Sequence, residues 1–139
     1  MPDAIPSILL VEDDEVDVEA IRRLFARRHI DNPLHVASDG AAALRMLHGE
    51  DDSPVQHPCV ILLDLNLPRM TGIEFLDELR RDSQLKDSVV FVLTTSNRDY
   101  DRMVANSKFV AGYLLKSDAD ADFSQLIRCL RPVLRFSEN

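Results

Sequence analysis

Residues 59–64 read CVILLD, five apolar or thiol side chains followed at once by an acid. A run this short, bounded by Pro58 on one side and a polar loop on the other, reads as a strand over 59–63. It lacks the alternating polar positions of a half-wet sheet. Burial on both faces, as in a parallel sheet covered by helices, accounts for that pattern best. Asp64 then stands at the C-terminal end of a buried strand, where α/β sheets place their chemistry.

Working outward, Ser7 to Val11 (SILLV), Leu34 to Ala37 (LHVA), Val89 to Leu93 (VVFVL) and Gly112 to Leu115 (GYLL) give four more short apolar runs. Helical patterns lie between them. Val18, Ile21, Leu24 and Phe25 share one side of a first helix, and Ile73, Leu76 and Leu79 one side of a third. The second helix is short, with Ser38 or Asp39 as its cap before an alanine-rich turn leading to Leu44 and Leu47. A fourth is expected around residues 98–107, where Met103 and Val104 give only a weak stripe. In the last, Phe123, Leu126, Ile127, Leu130 and Leu134 make a strong amphipathic pattern. The order is (βα) five times. Residues 49–58, acidic and proline-containing, read as a surface loop.

The chain has 139 residues, which fits a single domain over residues 1–139, and no output domain is expected. Its net charge of −8 argues against direct DNA binding, which needs a basic surface. No segment approaches the roughly 20 apolar residues needed to span a bilayer, and no signal-peptide pattern opens the chain, so no membrane association and a cytoplasmic location are expected. Cys59 and Cys129 both lie in apolar stretches and read as buried, reduced thiols.

Three of the other strand ends also carry polar groups. Glu12, Asp13, Asp14 and Glu15 follow the first strand directly. Asp13 or Asp14 can cap the first helix, since acids favour its positive end. If the first and third strands are neighbours, Asp64 joins this cluster and three carboxylates converge. A hard divalent cation held by oxygens resolves their repulsion, and Mg²⁺ suits such a site. Thr94 ends the fourth strand and Lys116 the fifth. A carboxylate nucleophile, a metal, a hydroxyl and an ammonium are the parts that receive a phosphoryl group.

The ordered set ILLVEDD, LLDLNLPRMTG, VLTTS and GYLLKS resembles the receiver domain of bacterial response regulators over essentially the whole chain. The resemblance implies a flavodoxin-like α/β fold with a five-stranded parallel sheet in the order 2-1-3-4-5 and helices on both faces. It implies Asp64 as phosphoacceptor and Glu12 and Asp13 as the acidic pair. Asp13, Asp64 and the carbonyl of Asn66 would bind Mg²⁺ directly, with Glu12 acting through metal-bound water. Lys116 would pair with the phosphoryl oxygens, Thr94 would move to hydrogen-bond them, and the ring of Tyr113 would follow. Pro68 and Gly72 would shape the loop after Asp64, where simple turn chemistry also suffices.

The resemblance further implies phosphoryl transfer from a sensor histidine kinase and a switch carried by the fourth helix, fifth strand and fifth helix to an output protein. The same surface would serve a homodimer. Arg22, Arg23, Arg27 and Arg28 read as a solvated helix face or as a kinase-docking face. The sequence departs from the usual pattern at Thr95, where a small residue is common, and at Ser117, where proline is usual. A non-proline cis bond costs about 2.5–4 kcal/mol, so the Lys116–Ser117 peptide is either trans or held under strain. The TTS of residues 94–96 is similar to small regulators that partner bacterial phytochromes, which makes a bacteriophytochrome the candidate kinase.

Two other readings remain open. A magnesium-dependent aspartyl-phosphate phosphatase would need a second acid two places after the nucleophile, where this chain has Asn66. A receiver-like binding module would work without phosphorylation. The expected activity is therefore that of a phosphoacceptor with intrinsic self-phosphorylation and autodephosphorylation only, not that of an enzyme.

Overall fold

Five strands form where the apolar runs predict them, and their order decides which strand ends become neighbours. The computed structural model describes residues 5–50, 59–94, 110–115 and 124–137, with only the backbone of Thr94, Leu115, Ser124 and Gln125. The strands are β1 (Ser7–Val11), β2 (Leu34–Ala37), β3 (Cys59–Asp64), β4 (Val89–Thr94) and β5 (Gly112–Leu115). They pair in parallel in the order β2-β1-β3-β4-β5. β3 and β4 each run one residue beyond the apolar stretch, so Asp64 and Thr94 are the last residues of their strands.

Parallel pairing requires crossovers, and the helices that supply them cover both faces. Leu9, Val11, Ile61, Leu63, Val90 and Val92 point to one face, where α2 (Gly40–Leu47) and α3 (Gly72–Arg81) add Ala43, Leu47, Phe75, Leu76 and Leu79. Ile8, Leu10, Val60, Leu62, Phe91 and Leu93 point to the other. There α1 (Glu15–Arg27) brings Ile21, Leu24 and Phe25, and the C-terminal helix Ser124–Leu130 brings Leu126, Ile127 and Leu130. All five residues of β1 are buried, which is why its sequence does not alternate. The flavodoxin-like arrangement is therefore the observed one.

Local chemistry starts each helix. Asp14 caps α1 by accepting from the N–H groups of Val16 and Asp17, Asp39 caps α2 through Ala42, and Thr71 and Glu74 form a reciprocal capping box on α3. In α3 the large buried residue is Phe75, while Ile73, expected in the apolar stripe, is only half-buried. Leu134 lies past the end of its helix yet is buried in the same core as Leu130. Cys59 is half-buried, and burial pushes its thiol up to about 12. Cys129, expected to be buried, is exposed, because Leu126, Ile127 and Leu130 take the inward face of its helix.

The chain is also tied at the end of the sheet where the strands begin. The buried Asn32 side chain donates to the carbonyls of Pro6 and Val133 and accepts from the N–H of Arg135. Phe136 forms an antiparallel bridge with Ile30 beside it. The expected fourth helix at residues 98–107 and the loop residues 51–58 lie outside the described residues, as does Phe123. Among the described residues, no helix is long and apolar enough to cross a membrane.

Candidate functional site

Because β1 and β3 are neighbours in register Val11 to Leu63, the residues that follow them emerge side by side. Glu12 is held in line by donating its N–H to the carbonyl of Ala37 on β2. Asp64, paired with Leu93 of β4, ends the central strand. One carboxylate oxygen from each of Glu12, Asp13 and Asp64 lies within 4.8 Å of the other two. Glu12 is 1% exposed and Asp64 4%, whereas Asp13 is open to solvent.

The acidic run at residues 12–15 thus divides by geometry. Glu12 and Asp13 enter the cluster, Asp14 turns away to cap α1, and Glu15 begins that helix. The backbone N–H of Asp14 donates to Glu12 Oε2 at 3.2 Å. Asn66 N–H donates to Asp64 Oδ1 at 3.0 Å. These two bonds orient the two buried carboxylates from the loops that follow them.

Placing carboxylates this close, two of them buried, is unfavourable unless positive charge answers them. The donor set fits a small hard cation. Mg²⁺ takes oxygen ligands at about 2.0–2.1 Å and keeps several waters, so oxygens already within 4.8 Å of one another need little movement to share it. Asp13, exposed at the rim, leaves a way in for an ion and its waters. The geometry therefore permits metal binding and leaves a buried carboxylate oxygen beside the metal.

The remaining expected residues are placed unevenly. Asn66 is exposed at the start of the β3–α3 loop. Tyr113 is half-buried, packed against the core under α2 and α3, and pairs in register with Val92. Thr94 ends β4 opposite Leu115, at the same edge as Asp64, so its backbone is where the sequence puts it. Its side chain is outside the described atoms, and Thr95, Lys116 and Ser117 lie outside the described residues. Beside the carboxylates a groove of about 460 Å³ runs along α1, bordered by Glu19, Arg22, Val36 and Ser38.

Gly72 does something other than turn chemistry. It is the first residue of α3, and a Cβ there would lie 2.7 Å from the carbonyl oxygen of Asp64 and 2.6 Å from Cα of Leu65. Its N–H donates to the carbonyl of Leu65 at 3.0 Å. Absence of a side chain lets α3 start directly against the strand end that carries Asp64. The sequence signal was the glycine itself; only the packing gives the reason. The hydrogen bonds to Glu12 and Asp64 from Asp14 and Asn66 had no sequence signal at all.

Comparison with known proteins agrees with this geometry. The family model for the response regulator receiver domain matches residues 8–128. Response regulator Rcp1 of Synechocystis sp. is 38% identical over 124 residues, which cover 87% of this chain and 83% of that protein. Its Mn(2+)-bound structure superposes with a TM-score of 0.74 at 34% identity, covering 91% of each chain. The bacteriophytochrome response regulator RtBRR gives a TM-score of 0.79 at 33% identity, covering 98% of this chain and 82% of that one. The phosphorylated cyanobacterial phytochrome response regulator RcpA gives 0.73 at 32% identity, covering 94% and 91%. With β1 to β5 in receiver order, an acidic cluster at their C-terminal edge and a family match over nearly its whole length, the chain belongs to the response regulator receiver domains of two-component signalling.

Proposed function

We propose that Asp64 accepts a phosphoryl group from a sensor histidine kinase or phosphotransfer protein, with Mg²⁺ held by Asp13 and Asp64, by the carbonyl of Asn66 and through water by Glu12. The observation that carries this reading is the convergence of the Glu12, Asp13 and Asp64 carboxylates within 4.8 Å at the ends of β1 and β3. An Asp64 oxygen forms the new bond to phosphorus as the bond from phosphorus to the donor's imidazole nitrogen breaks. When bound, the cation draws off the negative charge that builds on the transferring oxygens. Asn66 N–H, bonded to Asp64 Oδ1, fixes the orientation of the attacking carboxylate. The Mn(2+)-bound Rcp1 and phosphorylated RcpA support a divalent cation and a phosphoacceptor in this family.

The product carries roughly −1.5 to −2 charges in place of one, together with strong acceptors. Thr94 and Lys116 are the groups we assign to meet it, with Tyr113 following Thr94, and their rearrangement is the signal to an output protein. A cytoplasmic bacteriophytochrome-type kinase is the partner favoured by the likeness to RtBRR and RcpA. Arg22, Arg23, Arg27 and Arg28 are exposed and Arg22 borders the groove at the site, a face that suits docking of that kinase, and residues 1–139 act as one receiver domain in this reading. Homodimer formation would use the surface assigned to the fourth helix, β5 and the C-terminal helix.

Incubation with Mg²⁺ and acetyl phosphate tests the proposal. Intact-mass spectrometry should record the gain of one phosphoryl group, absent from Asp64→Ala and abolished by chelator. No gain from acetyl phosphate or from any histidine kinase would favour a phosphorylation-independent binding module. Asn66, two residues past the acceptor, supplies no acid or base for turnover, so sustained hydrolysis of phosphomonoesters is not expected.

A further inference from the structure

The loop that joins Asp64 to α3 is gripped from the side by the start of α2. Arg69 Nη1 donates to Asp39 Oδ2 at 3.3 Å, while Asp39 Oδ1 accepts from Ala42 N–H at 2.7 Å. The next residue along each segment is also in contact: a Cβ on Gly40 would lie 2.7 Å from Met70 Sδ and 3.3 Å from Met70 Cγ. Two consecutive loop residues therefore hold two consecutive residues at the N-terminus of α2. Arg69 does this at φ 66, in the left-handed region that glycine occupies without strain. An arginine kept at such a position supplies something that glycine lacks, a side chain long enough to reach Asp39.

The same loop carries Asn66, whose N–H is bonded to Asp64 Oδ1. We propose that the Arg69–Asp39 ion pair and the Met70–Gly40 contact form a clasp that sets the β3–α3 loop, and through Asn66 the Asp64 carboxylate, for metal binding and phosphoryl transfer. Arg69 and Asp39 are positioning residues that touch neither the metal nor the phosphoryl group. The inference rests on the assignment of Asp64 and Mg²⁺ made above. Arg69 is 86% exposed, so the pair contributes little to global stability, and its effect is on the population of the productive loop. Asp39, only 16% exposed and fixed by its capping bond, is the rigid end of the clasp.

Charge gives the test its direction. Removing a cation near an acidic metal site strengthens Mg²⁺ binding if the cation acts only through its field, whereas loss of a positioning contact weakens it. Isothermal titration of the full chain with Mg²⁺ should find Arg69→Ala weakened about two- to five-fold, the range an exposed ion pair supplies. Asp39→Asn, which keeps the helix cap, should match it. The double variant should be no weaker than either single one, Arg69→Lys should recover most of the loss, and urea midpoints should hardly change. The rate of phosphorylation by acetyl phosphate at saturating Mg²⁺ should fall in the same order. Unchanged or tighter Mg²⁺ binding in Arg69→Ala, or additive losses in the double variant, would overturn the clasp while leaving the phosphoacceptor reading intact. Absence of Mg²⁺ binding by the wild type would instead remove that reading and the clasp together.

Discussion

Gly72 and Asp64 are in backbone contact: a Cβ on the glycine would sit 2.7 Å from the Asp64 carbonyl oxygen. Alanine is the better helix former by about 0.8–1 kcal/mol, so on propensity alone Gly72→Ala should stabilise α3. Steric overlap with fixed backbone outweighs that gain. Gly72→Ala should lose about 1–3 kcal/mol in urea denaturation and accept phosphate from acetyl phosphate more slowly. A more stable variant would show that the approach is loose.

Adjacent aspartates should behave differently. Asp14→Ala removes the α1 cap and should cost about 0.5–2 kcal/mol of stability, with Mg²⁺ affinity close to that of the wild type. Asp13→Ala should do the reverse, lowering Mg²⁺ affinity on the order of tenfold or more with little change in unfolding. Calorimetric titration and urea melts on both variants separate the two roles, and the opposite pattern would exchange the assignments.

Asn32 is 4% exposed and satisfies three backbone groups from distant parts of the chain. Asn32→Ala strands the Pro6 and Val133 carbonyls and the Arg135 N–H, a loss of about 2–4 kcal/mol in urea denaturation. Hydrogen exchange should rise at residues 133–137 before it rises in β1 and β3. Uniform acceleration throughout the molecule would argue against a local tie.

Acid sensitivity has a local source at the far ends of α2 and α3. The Asp82 carboxyl is held below the usual carboxylate range, chiefly by the Gln84 N–H at 2.8 Å, with His48 Nε2 at 2.7 Å adding to it. A depressed folded pKa contributes stability that is complete above the ordinary carboxylate value near 4 and is lost as pH falls through the folded value. The stability difference between wild type and Asp82→Ala should therefore shrink as pH is lowered from 5 to 2. Urea midpoints measured across that range check it, and a constant difference would remove the assignment.

Most of the fold could be read from residue order. Each apolar run became a strand because a parallel sheet covered on both faces favours apolar residues in its interior; CVILL satisfies that throughout, and SILLV does so after Ser7, its one buried polar residue. Helix faces were less legible: in α3 the stripe of Ile73, Leu76 and Leu79 omits Phe75, the largest buried side chain of the element. Cys129 is exposed where a buried thiol is expected for a related reason, since apolar neighbours in sequence do not specify which side of a helix turns inward.

By itself the sequence determined the five strands, the order of the described elements and the acids that follow β1 and end β3, because strand burial and helix periodicity are local properties of residue type. Residue type alone left either Asp13 or Asp14 free to cap α1, and only the family resemblance pointed to Asp13 beside Glu12, where the structure puts it; why Gly72 must lack a side chain, and that Arg69 reaches back to Asp39, had no sequence signal. Those outcomes depend on distances between segments separated along the chain. Only the packing of α2 and α3 against β1 and β3 fixes them, since short-range interactions at the site are decided by fractions of an ångström that no residue encodes alone.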